Sequence, residues 1–171
     1  LTLNASSTYT GDLKVRGGQV TIPTGVTIDG MRRVDVAGSG AKLDISGKVE
    51  TGLGGDFGVG AGVAGEAEVI VRTGGTLSVG NLSNSRASVY VGGKFDNQGD
   101  VGTGKLTING GTVTVGTAGN NVGGDWDSRQ IWFNAWGGDG TASTIVINNG
   151  GVLETGRGIQ NDTSYAAALT L

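Results

Sequence analysis

Residues 105–116 read Lys-Leu-Thr-Ile-Asn-Gly-Gly-Thr-Val-Thr-Val-Gly. Leu106 and Ile108 alternate with polar neighbours, Gly110-Gly111 follows, and Val113 and Val115 alternate in turn. A period of two places one set of side chains on one face of an extended strand and the polar partners (Thr107, Thr112, Thr114) on the other. The glycine pair supplies a tight turn, because a residue without a Cβ accepts positive φ. The stretch therefore reads as two short strands joined at a corner.

Near-copies recur. Leu43/Ile45 turns through Ser46-Gly47-Lys48 into Val49/Thr51, and Val69/Val71 turns through Gly74-Gly75 into Leu77/Val79. Ile145/Ile147 turns through Gly150-Gly151 into Leu153/Thr155. The first strands begin at 43, 69, 106 and 145, so the spacings are about 26, 37 and 39 residues. Repetition on that scale points to stacked units, none of which buries its apolar face alone. A third short strand follows each pair: Phe57-Gly58-Val59-Gly60, Val89-Tyr90-Val91-Gly92-Gly93 and Asn121-Val122-Gly123-Gly124.

The expected architecture is all-β: a right-handed parallel β-helix (β-solenoid) with three short strands per coil and about five to six coils. Valine, isoleucine and leucine would stack on their equivalents one coil away, roughly 4.8 Å along the axis. Residues 1–171 form one domain in this reading, with irregular N-terminal coils over 1–42 and repeat coils with insertions over 43–171. The longest insertion is expected as a side loop at 125–142. Insertions of this kind project from one flank of a solenoid and often form its binding face.

Composition narrows the alternatives. Glycine supplies 36 of 171 residues, against an average of about 7%. Collagen is excluded, since Pro23 is the single proline and glycine keeps no period of three. Disorder is disfavoured by the abundance of Val, Ile and Thr and by a formal net charge of only -3. Twelve basic residues against 15 acidic ones give no basic face for nucleic acid. No apolar run approaches the roughly 20 residues of a membrane-spanning helix. The absence of cysteine suits a bacterial surface solenoid that crosses the periplasm unfolded. The absence of histidine removes the commonest general base and zinc ligand. The chain begins at Leu1 without Met, as a processed product or a fragment would.

Three groups of residues are candidate sites. Trp126, Trp132 and Trp136, with Phe133 beside them, all fall in the long insertion. Exposed aromatics on a glycine-rich loop could stack on sugar rings or on a partner surface. The competing reading is a small satellite core against one flank of the shaft. Gly-Gly-Asp recurs at Gly54-Gly55-Asp56, Gly123-Gly124-Asp125 and Gly137-Gly138-Asp139. It faintly resembles the calcium-binding nonapeptide of β-rolls, but its copies are tens of residues apart instead of in tandem. Asp125, Asp127 and Asp139 are the residues that could share a calcium ion, although Asp and Gly at turns need no metal to explain them. The carboxylate pairs Asp96/Asp100 and Glu66/Glu68 could in principle serve glycoside cleavage, yet nothing isolates two acids on one face. No catalytic constellation is found. Asn-x-Ser/Thr at Asn4, Asn81 and Asn161 is as frequent as chance predicts in so Asn- and Thr-rich a chain.

Gly104–Gly116, Val69–Gly80 (V-I-V-R-T-G-G-T-L-S-V-G) and Thr144–Gly156 (T-I-V-I-N-N-G-G-V-L-E-T-G) resemble the autotransporter-associated β-strand repeat. That repeat occurs in passenger regions of bacterial autotransporters and in large bacterial surface proteins. The resemblance runs from about Leu43 onward and more loosely over the first forty residues. It implies a β-solenoid and an extracellular, cell-surface location. It implies no activity, since such stems carry adhesins, enzymes and spacers alike.

The functional expectation is a structural or adhesive surface rod. Leu1-Thr2-Leu3 and Leu169-Thr170-Leu171 are strand-like and no amphipathic helix caps either end, so Leu1, Leu3, Leu169 and Leu171 mark edges for self-association. Either the chain is cut from a longer rod, or copies stack head to tail into a filament. The rival expectations are a glycan-binding module that uses the tryptophan loop and a polysaccharide-degrading spike of the phage-tail type.

Overall fold

The computed structural model describes residues 1–80, 87–95, 98–116, 130–137, 142–161 and 165–171. Among them there is no helix, and so none long and apolar enough to cross a membrane. The strands are β1 (Ser7–Thr8), β2 (Asp12–Val15), β3 (Gln19–Ile22), β4 (Thr27–Val36), β5 (Ala41–Ile45), β6 (Lys48–Val59), β7 (Glu66–Arg72) and β8 (Thr76–Val79). They continue as β9 (Val89–Phe95), β10 (Gln98–Asn109), β11 (Thr112–Val115), β12 (Ile131–Ala135), β13 (Ser143–Asn148), β14 (Val152–Thr155), β15 (Ile159–Asn161) and β16 (Ala167–Thr170). The protein is all-β, and among the described residues its strands pair in parallel except where β9 turns back antiparallel on β10, with an isolated antiparallel bridge between Arg72 and Gly110.

The parallel registers form three series. In the first, Val20 pairs with Leu43, then Val69, Leu106, Ile145 and Leu169 in succession. In the second, Ser7, Ile28, Val49, Leu77, Val113 and Leu153 follow one another. In the third the order is Leu13, Val34, Phe57, Val89, Ile131 and Ile159. Apart from Ser7 at the start of the second, each series places apolar side chains on apolar side chains, and their middle members join one continuous buried core. Alternation explains why these strands form: the apolar set can be buried only if every partner keeps the same phase.

The corners explain the glycine pairs. A Cβ on Gly75 would collide with the Ile45 carbonyl, one on Gly111 with that of Arg72, and one on Gly151 with that of Ile108. Each second glycine of the repeated pair therefore lets its corner settle on backbone laid down earlier in the chain.

Two features differ from the sequence expectation. Residues 131–135, expected within a side loop, form β12, whose Ile131, Phe133 and Ala135 are buried. Trp132 is consequently a strand residue. Asn121–Gly124, expected as the third strand of that unit, lies outside the described residues. In the first forty residues, β4 is one ten-residue strand contributing to both the second and the third series, with shifts of register between Ile28 and Arg33. Gly30 sits there at φ 75°.

Charged side chains pair between neighbouring strands. Glu68 lies between Lys42 (3.1 Å) and Lys105 (3.4 Å), all three in register on neighbouring strands. Arg72 grips Asp44 through two bonds of 2.6 and 2.7 Å. That hydrogen bond, reinforced by the carboxylate's charge, raises the Arg72 guanidinium above its ordinary value. On the alkaline side the stabilisation from this shift is fully present below the ordinary arginine range and is lost as pH rises through the raised value, in strong alkali.

Candidate functional site

The outward positions of the third series run Lys14, Asp35, Gly58, Tyr90, Trp132 and Gln160, each in register with the next. The line thus begins charged, passes through a glycine, and becomes aromatic. Tyr90 is 6% exposed and clusters with Ala61 and Ala135, against which Trp132 packs half-buried. Trp136, just past the end of β12, stacks on Tyr90 with ring centroids 5.7 Å apart and planes at 26°. It remains 40% exposed. Offset stacking of this kind adds to the gain from area burial alone.

The backbone that presents Trp136 is unusual. Asn134 and Trp136 have φ of 50° and 54°, a left-handed conformation that bulky residues avoid. The residues that follow Val59, Val91 and Phe133 are Gly60, Gly92 and Asn134, the two glycines at φ 66° and 74°. Asparagine is the side chain that best replaces glycine in that conformation. Asn134 is buried, and its Nδ2 donates to the Ala166 carbonyl at 3.0 Å. This ties the end of β12 to the approach to β16 and fixes where Trp136 emerges.

The tryptophans expected as one loop are therefore divided. Trp132 packs into the flank, Trp136 is half-exposed beside it, and Trp126 lies outside the described residues. Asp125, Asp127 and Asp139 also lie outside them, as do Asp96 and Asn81. Among the described residues no group of three or more His, Cys, Asp or Glu side chains is placed to hold a metal ion. The Asp56 carboxylate of the first Gly-Gly-Asp accepts the Ser88 backbone N–H at 2.8 Å. Glu68 is committed to its two lysines, Glu66 is exposed beyond them, and Asp100 is exposed on β10.

Sequence reasoning missed Tyr90 as the support under Trp136, Asn134 as the left-handed residue, and Gln160 as the next residue in the line. Aligning Ile131-Trp132-Phe133-Asn134-Ala135 with Val89-Tyr90-Val91-Gly92-Gly93 would have found the first two, whereas Gln160 follows only from the pairing of β12 with β15. Both segments alternate inward apolar and outward aromatic residues before a left-handed position.

At the two ends the apolar columns open to solvent. Leu1 is 80% exposed, Leu169 48% and Leu171 90%, while Leu3 is half-buried. Leu3, Ala5, Tyr9, Leu13, Ile28 and Met31 line a mainly apolar cavity of about 410 Å³ at the N-terminal end. Thr2 bridges Thr21, and the Thr21 N–H donates to the Leu1 carbonyl at 2.9 Å. Leu1 and Leu3 thereby continue the columns of Val20 and Ile22.

No protein-family model, no curated protein and no solved structure matches this chain.

Proposed function

We propose that this chain is an extracellular bacterial surface rod, a right-handed three-sided β-solenoid with a structural or adhesive role. In this reading the three register series are the three faces of the solenoid, and one residue from each face marks each coil. The support is the constancy of register. Leu43, Val69, Leu106 and Ile145 stay in step although the chain between them lengthens. A shaft of stacked coils requires that behaviour, with extra length pushed out at corners. The resemblance of the Gly-Gly units to the autotransporter-associated repeat supports a surface location on the same residues.

The observation that carries the assembly reading is the pair of open ends. Leu169 occupies the column that starts at Leu1, and both leucines are uncovered. A second copy adding its residues 1–3 beside β16 would continue that column in parallel register. Such a contact is heterologous and does not close, so it extends into a fibre. β16 extends the first face one rung beyond β14 and β15, so a joint through that face leaves a rung-deep gap on the other two. The joint is accordingly weak and dependent on concentration. In a longer rod the same edges meet the next coils of the same chain.

Electron microscopy of the purified chain over a concentration series tests this reading. Fibres that lengthen with concentration and vanish on dilution are expected. Monodisperse short particles at every concentration would remove self-assembly and leave the longer-rod alternative.

A further inference from the structure

We infer that Trp136, Trp132 and Gln160 form a shallow subsite for a neutral hexose chain on the outer side of the third register series. The inference does not depend on whether copies assemble into a filament.

Four observations carry it. The Trp136 ring rests on Tyr90 yet remains 40% exposed, so it is a flat apolar surface supported from behind. Tyr90 and Ala135 are buried, so the support is packed. The backbone presenting the ring is held in a left-handed conformation at both Asn134 and Trp136. Strained residues of this kind persist where the surroundings fix them, and they gather at ligand sites. Finally, Gln160 stands beside Trp132 in register, exposed, and its side chain makes no hydrogen bond among the described residues.

A pyranose presents one face of C–H groups and a rim of hydroxyls. The C–H face matches an indole surface, and the hydroxyl rim matches an amide that both donates and accepts. Tyr90, Trp132 and Gln160 span two rungs, about 10 Å, the length of a disaccharide. The three residues are uncharged, and the charged residues of the line, Lys14 and Asp35, lie farther along it. Asp35 is held by Arg16 at 2.6 Å. No charged residue of the line adjoins Trp132 and Gln160, so the chemistry of this end favours a neutral sugar over a uronic or sialic acid. A site of one aromatic face and one amide binds weakly per unit, so a polymer is held through many contacts.

The test is affinity electrophoresis of the whole chain in gels containing a soluble galactomannan, xyloglucan, β-1,3-glucan or starch. Retardation by at least one of them is expected. Trp136→Ala should weaken it about tenfold with a fall in melting temperature smaller than that of Trp132→Ala, and Gln160→Ala about threefold with the melting temperature unchanged. Should Trp136→Ala fail to fold, Gln160→Ala and quenching of tryptophan fluorescence by the retarding polymer decide the matter. Retardation by none of the four would overturn the inference. So would retardation that both variants retain, which would place the sugar elsewhere. Loss of thermal stability in Trp136→Ala equal to that in Trp132→Ala, with Gln160→Ala inert, would reduce Trp136 to a packing residue.

Discussion

Leu106 and Leu169 occupy the same column of the first register series, yet one is fully buried and the other is nearly half exposed. The same contrast appears on the second series, where Leu77 is buried and Leu153 only partly so. Residue type and strand phase are the same in each pair. What differs is whether a strand lies on both sides. In this protein burial is a property of the neighbours and not of the residue, as expected when stability is a sum of contacts between adjacent units.

The contrast can be broken in order of effect. Leu106→Ala should cost about 2–5 kcal/mol in chemical unfolding, since the cavity it leaves is closed on both sides. Leu169→Ala should cost less than about 1 kcal/mol, because solvent already reaches the site. Equal losses at the two positions would contradict the stacked-neighbour account. Gly111→Ala should follow, at about 1–3 kcal/mol, because the new methyl meets the Arg72 carbonyl and the corner must lift. Arg72→Ala should be milder, about 1 kcal/mol: it leaves the buried Asp44 carboxylate without its bidentate partner, but the guanidinium itself is largely exposed. The smallest stability effect should come from Leu169→Lys combined with Leu171→Lys. This variant should melt like the parent and yet lose the proposed concentration-dependent association in light scattering, because an edge is blunted by charge.

Much of the fold was legible in sequence because its inward residues are β-branched or leucine and its corners are glycine pairs. Leu43, Val69, Leu106 and Ile145 could be aligned by eye, and they pair in that order. Legibility failed where the phase of alternation breaks. Between Ile28 and Val34 the chain passes Gly30 in a left-handed conformation, and the inward set jumps from Ile28 to Met31 to Val34. A period-two reading has no place for that shift. It failed again at β12, where Asn134 stands in a glycine's position and Trp132 interrupts an aliphatic pattern. Val122-Gly123 looked more like the other third strands than Ile131–Ala135 did. Tyr90 went unnoticed as part of the candidate site because its partner, Trp136, lies more than forty residues away in sequence.

The constant registers carry one more consequence. Val79 and Val89 are close in sequence, Val115 and Ile131 less so, yet both connections return the chain to the same rung position of the third series. Length at this corner is a free variable, whereas one residue added inside β7 or β11 would turn every later side chain of that strand inside out. The molecule thus has a grammar of permitted edits. Insertions inside β7 or β11 should therefore lower the unfolding midpoint far more than the same number of residues added between strands, so the protein's tolerance to change is set by phase and not by length.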